Sequence, residues 1–305
     1  MNKDKEILAR LIIGMRDAYA KGENAMAWAR DNLLEGDNDL IGTLIAYDLQ
    51  AGTYVDDARQ NPKYVDSWCM QLAGLVKPYL TDGCDILEVG VGEATTLSGV
   101  LNALNFTNIN AYGLDLSWSR ILVGRAWSQE QKNSPQLFVG DLFNIPMKDN
   151  SIDIVYTSHS LEPNGGREVE SIKELLRVAR KAVILVEPCY ELASEEAQQR
   201  MRSHGYVRGL KVAAESLGVD VVDHRLLDLF KNPLNPSGVL TLLKNKTSFS
   251  IEKSSTGKWQ CPLTGVQLAD NGDYFYAESV GIAYPVLKGI PLLSPNHAVI
   301  ASKLP

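Results

Sequence analysis

The chain has 305 residues, of which 45% are hydrophobic and 22% are charged. These proportions are ordinary for a globular protein and exclude a disordered chain or a collagen-like repeat. Thirty Lys and Arg residues against 37 Asp and Glu residues give a net charge of −7. This acidic balance lacks the basic footprint of a nucleic-acid-binding protein, so nucleic acid is not an expected partner. The length predicts about two domains.

The cysteine content and the N-terminus indicate where the protein resides. The four cysteines contain no Cys-x-x-Cys pair, and they are too few for the disulfide framework of a secreted protein. The N-terminus alternates charged with apolar residues, unlike a signal peptide. No apolar run approaches the roughly 20 residues that a membrane span needs. We therefore expect reduced thiols in a cytoplasmic protein without a membrane partner.

The first 80 residues are predicted to be helical. Apolar residues recur at helical spacing over Ile7–Met15, and again over Leu40–Leu49 and Val65–Leu80. Gly22 and Gly36–Asn38 indicate breaks between these helices.

From Asp85 onward, short apolar runs alternate with helical stretches. The predicted strands are Ile86–Gly90, Ala111–Asp115, Leu137–Asp141, Ile152–Thr157 and Ala182–Val186. The predicted helices are Ala94–Leu104, Ser119–Gln129, Glu168–Ala179 and Val207–Leu217. A final hairpin of Val219–Leu226 and Gly238–Leu243 would close the sheet. This alternation predicts an α/β fold with a mostly parallel sheet and helices on both faces.

A glycine turn joins the first predicted strand to the first helix of the sheet. Gly90 and Gly92 lack a Cβ, so the backbone could approach a ligand closely. Such a turn lies at the edge where open parallel sheets bind ligands. A dinucleotide fingerprint would need a third glycine at position 95, where Thr95 stands.

Acidic residues end the next two predicted strands. Asp115 follows Gly90 by 25 residues, a distance that suits the ribose hydroxyls of a bound nucleotide. Asp141 ends the third strand and could accept a hydrogen bond from an adenine amino group.

Four segments in order resemble the motifs of class I S-adenosylmethionine-dependent methyltransferases. They are Glu88-x-Gly90-x-Gly92-x-Ala94, Leu114-Asp115, Gly140-Asp141-Leu142 and Ser151–Val155. The resemblance covers about residues 85–243 and implies a Rossmann-like, seven-stranded sheet under an N-terminal helical lid. Ala94 stands where the family usually has its last glycine.

The resemblance also implies a cofactor and the residues that hold it. The cofactor would be S-adenosylmethionine, with S-adenosylhomocysteine as the product. Glu88, Gly90 and Gly92 would line its methionine end. Asp115 would hold the ribose, with Leu116 beside it, and Asp141 with Leu142 would hold the adenine. Tyr54, from the lid, would contact the cofactor carboxylate, and the alternative is that it only packs in the lid or core.

The loop after the fourth strand would border the transferred methyl group. His159 titrates near neutrality and would act as the general base, with Glu162 as a second acid–base group or substrate ligand. The alternative is that His159 packs beside the cofactor and that Glu162 is a charge at a helix N-terminus.

Substrate contacts are predicted from two later segments. Glu187 and Tyr190 follow the fifth strand and would face the same rim of the sheet. Arg202 and His204 belong to a basic stretch that could hold a phosphate or carboxylate group. The alternative for that stretch is a solvated helix face.

The C-terminal residues resemble a small zinc-ribbon-like domain, which occurs as an activator of some methyltransferases or is fused to them. The resemblance rests on Cys261–Gly265 and Gly281–Leu293. A four-thiolate site needs paired cysteines, but Thr264 and Glu278 stand at two of the other three positions and Gly281 at the last. We therefore predict a small β-rich domain without a metal.

These observations predict three domains: a helical lid (1–80), a cofactor-binding domain (81–246) and the small C-terminal domain (258–300), after a polar linker. The predicted function is methyl transfer to a small-molecule or carbohydrate-type acceptor, such as O-methylation of a nucleotide sugar or surface glycan. One alternative is a non-catalytic scaffold or activator that docks a partner protein or RNA enzyme. Another is a nicotinamide-dependent dehydrogenase. A homodimer is a further hypothesis.

Overall fold

The computed structural model describes residues 3–32, 40–104, 108–244 and 257–304. The chain begins with helices α1 (Lys3–Ala20), α2 (Ala25–Asn32), α3 (Leu40–Leu49), α4 (Thr53–Gln60) and α5 (Pro62–Val76). The predicted helical character of this segment is confirmed, whereas the predicted break at 36–38 lies outside the described residues. None of the described helices combines the length and apolar character that crossing a bilayer requires.

Strands and helices then alternate as predicted. The strands are β1 (Cys84–Val89), β2 (Ile109–Asp115), β3 (Gln136–Val139), β4 (Ile152–Ser158), β5 (Ala179–Pro188), β6 (Asp220–Leu226) and β7 (Ser237–Leu243). The helices are α6 (Thr95–Leu104), α7 (Trp118–Glu130), α8 (Glu168–Val178), α9 (Glu195–Ser203) and α10 (Leu210–Ser216).

These strands form one sheet in the order β3-β2-β1-β4-β5-β7-β6. Strand β7 is antiparallel to β5 and β6, and the other neighbouring pairs are parallel. The predicted fold class, a Rossmann-like and mostly parallel sheet with helices, is confirmed. Since β2 and β4 lie on opposite sides of β1, the strand order reverses there. The carboxyl ends of β1 and β4 therefore form the switch point at which such sheets bind ligands.

The burial of the first strands explains why they stand out in the sequence as continuous apolar runs. Every residue of β1 is buried, because helices cover both faces of a parallel sheet. Two apolar clusters, one on each side of the sheet, contain Leu87, Val155 and Leu185 on one face and Ile86, Ile154 and Ile184 on the other. These rigid strands fix the positions of the loops at their carboxyl ends.

Helices α3 and α4 lie over that carboxyl edge. The Glu93 carboxylate, just after the glycine turn, accepts hydrogen bonds from the backbone N–H groups of Gly52 (3.0 Å) and Val55 (2.8 Å). Asp48 in α3 accepts from the hydroxyl groups of Ser117 (2.6 Å) and Ser119 (3.0 Å). Polar contacts thus connect the N-terminal helices to the loops after β1 and β2.

The C-terminal residues form a separate antiparallel sheet. Its strands are β8 (Ala269–Asp270), β9 (Tyr274–Ala277), β10 (Ile282–Leu287), β11 (Ile290–Pro291) and β12 (Val299–Ile300). The Leu293 N–H donates to the Val139 carbonyl (2.8 Å), so this unit lies beside β3, which ends the described part of the large sheet. It thereby covers a strand edge that would otherwise be open to pairing.

Aromatic packing attaches the same unit to the main sheet. The Trp259 ring meets the rings of Tyr112, Phe138 and Phe275 edge-on, with centroid distances of 6.1, 5.0 and 5.4 Å. The buried Cys261 thiol lies 3.4 Å from the Tyr284 hydroxyl. The β-rich character is confirmed. The zinc-ribbon resemblance and the domain limits stay predictions, and most of the predicted linker lies outside the described residues.

Candidate functional site

A cavity of about 510 Å³ opens at the switch point, between the sheet and helices α3, α4 and α5. Its size suits a ligand as large as a nucleoside-containing cofactor. The walls come from the glycine turn after β1, the ends of β2 and β3, the loop after β4 and the β6–β7 connection.

The glycine turn needs glycine for two physical reasons. Gly90 and Gly92 have φ angles of 75° and 53°, a left-handed backbone that favours glycine. A Cβ on Gly90 would lie 2.0 Å from the Ser160 Cβ, and one on Gly92 would lie 2.5 Å from a terminal nitrogen of Arg120. Ala94 has a φ angle of 53°, which explains why glycine would be the usual residue there.

The two predicted nucleotide-binding aspartates stand at the strand ends and organise their loops. Asp115 accepts from the Gly92 N–H and the Ser117 N–H, both at 2.9 Å. Asp141 accepts from the Phe143 N–H at 2.9 Å. All residues predicted to bind the cofactor line this one cavity: Tyr54, Glu88, Gly90, Gly92, Asp115, Leu116, Asp141 and Leu142.

Glu88 is the most strongly perturbed acid of the site. It is buried, and its carboxylate accepts a hydrogen bond of 2.7 Å from the Tyr156 hydroxyl. Burial raises the pKa of Glu88 to about 8, although the Tyr156 hydrogen bond works in the opposite direction. The side chain is therefore largely protonated at neutral pH in the unliganded protein.

His159 lies between two partners at the end of β4. Its Nδ1 atom is 2.9 Å from a carboxylate oxygen of Glu162, and its Nε2 atom is 2.7 Å from the Ser237 hydroxyl. Asn235 donates to the other Glu162 oxygen at 3.3 Å. His159 has a φ angle of 55°, which is unusual for a residue with a side chain. The predicted catalytic pair, His159 and Glu162, thus lies together in the cavity wall.

The two side chains shift each other's pKa in opposite directions. Burial lowers the pKa of His159, but the hydrogen bond that its Nδ1–H donates to Glu162 and the charges of Glu162 and Glu187 outweigh this effect, so the pKa lies above its ordinary value. Burial raises the pKa of Glu162, but the hydrogen bond and charge of His159 bring it below its ordinary value. The imidazole is therefore a stronger base than a free histidine, with an anionic partner to stabilise its protonated form.

Glu187, predicted to face the substrate, lies instead beneath the loop after β4. It is buried and accepts hydrogen bonds from the backbone N–H groups of Ser160 (3.1 Å), Leu161 (3.1 Å) and Glu162 (3.2 Å). Burial raises its pKa to about 7, and His159 and the loop hydrogen bonds partly offset this effect. Glu187 holds the loop in place and is outside the cavity lining.

The other three predicted substrate residues also lie outside the cavity. Tyr190 is in a 3₁₀ turn after β5, and its hydroxyl accepts a hydrogen bond of 2.5 Å from Arg202 on α9. His204 contacts the Arg200 carbonyl (2.8 Å) at the end of that exposed helix. Arg202 and His204 are exposed, which agrees with the alternative of a solvated helix face for the basic stretch.

The cavity wall contains functional candidates that the sequence did not single out. They are Tyr47, Trp68, Arg120, Asn235 and Ser237. Tyr47 lies seven residues before Tyr54 in the N-terminal helical segment, so its aromatic ring could have been noticed in the sequence. Ser237 and Asn235 come next to His159 only through the antiparallel return of β7, and no local motif marks that pairing.

Residues 87–187 match the family model described as a methyltransferase domain. The matched residues extend from strand β1 to strand β5. The predicted enzyme class is thereby confirmed, together with S-adenosylmethionine as the predicted cofactor. The match does not support the dehydrogenase alternative, and it does not identify the acceptor.

Several solved structures are similar to the chain. A SAM-dependent methyltransferase from Aquifex aeolicus is 14% identical and covers 56% of this chain and 87% of its own, with a TM-score of 0.45. Magnesium protoporphyrin IX methyltransferase from Synechocystis, with bound SAH, is 16% identical and covers 75% of this chain and 98% of its own, with a TM-score of 0.48. Geranyl diphosphate C-methyltransferase from Streptomyces coelicolor is 11% identical and covers 57% of this chain and 80% of its own, with a TM-score of 0.45. No curated protein matches the chain.

Proposed function

We propose that the protein transfers the methyl group of S-adenosylmethionine to a hydroxyl group of a small-molecule or carbohydrate-type acceptor. One observation carries the proposal: the His159–Glu162 pair lines the same cavity as the glycine turn and Asp115. A basic imidazole at the methyl end is what a neutral hydroxyl needs, because the hydroxyl must lose a proton as it attacks.

The cavity fits the cofactor in shape and chemistry. The two glycines leave space that a Cβ would fill, and Asp115 stands at the end of β2, where ribose hydroxyls would bind. Glu88, Gly90 and Gly92 would hold the methionine end, while Asp141 and Leu142 would hold the adenine. When bound, the cofactor supplies a methyl group activated by its sulfonium. The protein contributes position, since holding nucleophile and methyl at about 3–3.5 Å provides much of the rate.

His159 would accept the acceptor's proton. Because Nε2 is hydrogen-bonded to Ser237, the proton would pass through the Ser237 hydroxyl to the imidazole. Glu162 would then stabilise the imidazolium from the Nδ1 side. General base catalysis of this kind contributes about 10²–10⁴ in rate.

The cavity lining also supports a polar acceptor. Tyr64, Trp68 and Asn235 line the cavity with aromatic and amide groups, which suit a hydroxylated ring. A net charge of −7 disfavours RNA or DNA as the acceptor. A nucleotide sugar or surface glycan is therefore our preferred acceptor class.

One observation favours a second candidate, a non-catalytic cofactor-binding scaffold or activator. Both nitrogens of His159 already have protein partners, as a purely structural histidine would. In that case the C-terminal unit would dock a partner protein or RNA enzyme.

A transfer assay separates the two candidates. Methyl-labelled S-adenosylmethionine is incubated with a panel of nucleotide sugars and glycans, and labelled product is measured for wild type, His159→Gln and the control His224→Gln. Label on an acceptor hydroxyl with wild type and the control, reduced at least a hundredfold in His159→Gln, supports the enzyme. Tight cofactor binding without transfer to any acceptor favours the scaffold.

The remaining proposals concern location, domain organisation and assembly. The cysteines Cys69, Cys84, Cys189 and Cys261 are all free and buried, which suits a cytoplasmic protein. We also retain the lid (1–80), the cofactor domain (81–246), the small domain (258–300) and a homodimer. Light scattering coupled to size-exclusion chromatography tests the homodimer.

A further inference from the structure

Arg120 is a buried cation at the glycine turn that the preceding proposal does not use. It lies in the first turn of α7, and its side chain extends back toward Gly92 and is only 9% exposed. A terminal nitrogen lies 2.5 Å from where a Cβ of Gly92 would be, so the guanidinium lies directly on the turn. The same side chain lines the cavity.

Two tyrosines from the N-terminal helices hold the guanidinium in place. The guanidinium carbon lies 4.6 Å from the ring centroid of Tyr54 and 5.5 Å from that of Tyr47. An aromatic face orients a guanidinium and attracts its charge. It does not accept hydrogen bonds from the N–H groups, which point outward in the plane of the guanidinium. The donors of Arg120 therefore stay available to a ligand in the cavity.

The neighbouring carboxylates do not satisfy Arg120. Glu93 is 3.9 Å from Nε, beyond hydrogen-bond distance, and its two oxygens already accept from backbone N–H groups of α4 and the residue before it. Both oxygens of Asp115 likewise accept backbone N–H groups. Within the described parts of the chain, Nε of Arg120 has no hydrogen-bond partner.

A buried guanidinium whose Nε has no hydrogen-bond partner is suited to binding an anion. Its ion-pair partner Glu93 is 3.9 Å away and leaves Nε without a hydrogen bond, whereas a carboxylate in the cavity could accept two parallel hydrogen bonds from the planar fork. The methionine moiety of the cofactor carries one carboxylate. Gly92, against which Arg120 lies, belongs to the turn that would line this moiety.

We infer that Arg120 binds the α-carboxylate of the cofactor and makes the site selective for ligands that carry it. The inference rests on the proposed function, because it needs S-adenosylmethionine in this cavity. Tyr47 and Tyr54 position the guanidinium, and the glycine at position 92 gives it room. Arg120 lies against Gly92 of the turn that would hold the methionine end, which favours the cofactor as the source of the carboxylate.

Isothermal titration calorimetry with three ligands tests the inference. S-adenosylhomocysteine carries the carboxylate, its decarboxylated analogue S-adenosyl-3-thiopropylamine lacks only that group, and 5′-methylthioadenosine lacks the whole amino-acid end. Arg120→Met should weaken S-adenosylhomocysteine binding by about tenfold to a hundredfold, the range for a charge-assisted hydrogen-bonded pair. The Kd values of the other two ligands should change less than about twofold, since neither contains the carboxylate.

Two further variants keep the result interpretable. Arg120→Lys retains the charge but not the planar fork, so it should weaken S-adenosylhomocysteine binding less than Arg120→Met does. If Arg120→Met does not fold, Arg120→Lys is used in its place. Arg225→Met, at an exposed arginine on β6 outside the cavity, should leave all three Kd values unchanged.

Three outcomes would decide against parts of the account. If Arg120→Met binds S-adenosylhomocysteine as tightly as wild type does, the cofactor carboxylate is not its ligand. If all three ligands weaken equally, Arg120 has only a structural role. If wild type binds none of the three, the proposed function itself fails.

Discussion

At the scale of single residues, His159 is the group on which the chemistry depends. The charges and hydrogen bond of its acidic neighbours outweigh burial and raise its pKa above 6.5. Only the neutral imidazole accepts a proton, so methyl transfer should increase with pH through a pKa above 6.5. His159→Gln should lower kcat/KM by about 10²–10⁴ and abolish this pH dependence. The measurement is kcat/KM between pH 6 and 9 with the acceptor found in the screen; an unchanged pH profile in the variant would exclude His159 as the base.

Glu88 should make the unliganded protein less stable as the pH rises. Its folded pKa of about 8 exceeds the ordinary value of 4.5, so between these values the unfolded chain releases a proton that the folded protein keeps. The free energy of unfolding therefore falls across this window. Glu88→Gln should remove that slope, so relative to wild type the variant should gain roughly 4 kcal/mol between pH 4.5 and pH 8, since each pKa unit corresponds to about 1.4 kcal/mol.

Urea unfolding at several pH values, without cofactor, checks this expectation. Glu278→Gln, at an exposed glutamate of the C-terminal unit, is the matched control and should leave the slope unchanged. A variant at position 88 with the wild-type slope would show that Glu88 is ionised in the folded protein.

At the scale of elements, the loop after β4 depends on Glu187 at the end of β5. Three backbone N–H groups of the loop donate to this one carboxylate. Glu187→Ala leaves them without an acceptor and should cost about 2–4 kcal/mol, whereas Glu187→Gln keeps the acceptor oxygen and should cost less. Denaturant unfolding measures both variants. Equal stability of Glu187→Ala and wild type would mean that water replaces the carboxylate in this role.

Local sequence predicts only part of the site. The glycine turn, Asp115, Asp141 and His159 follow directly from buried strands, so their placement at one sheet edge could be predicted from strand order alone. Glu187 also ends a strand, yet the side chains of a strand alternate between its faces, and the sequence does not tell which one faces the cavity. Tyr190 and Arg202 follow β5 by a turn and a helix whose direction depends on tertiary packing.

At the scale of the whole molecule, the cavity is assembled from distant parts of the chain. The N-terminal helices contribute Tyr47 and Tyr54, α7 contributes Arg120, and the start of β7 contributes Ser237. The elements themselves were predictable because each has its own periodicity. Their meeting was not, because contacts such as Ser237 with His159 span 78 positions along the chain.

The central claim is that this cavity binds S-adenosylmethionine, and a thermal-unfolding titration tests it most directly. Wild type is measured with S-adenosylmethionine, S-adenosylhomocysteine and NAD, each at about 100 times its dissociation constant or at the solubility limit. Binding at that level adds roughly 2.7 kcal/mol of stability, enough for a clear rise in Tm. We expect this rise with the first two ligands but not with NAD, a loss of it in Asp115→Asn, and no loss in the exposed control Asp82→Asn. No rise with either sulfur-containing ligand, or a rise with NAD alone, would contradict the account.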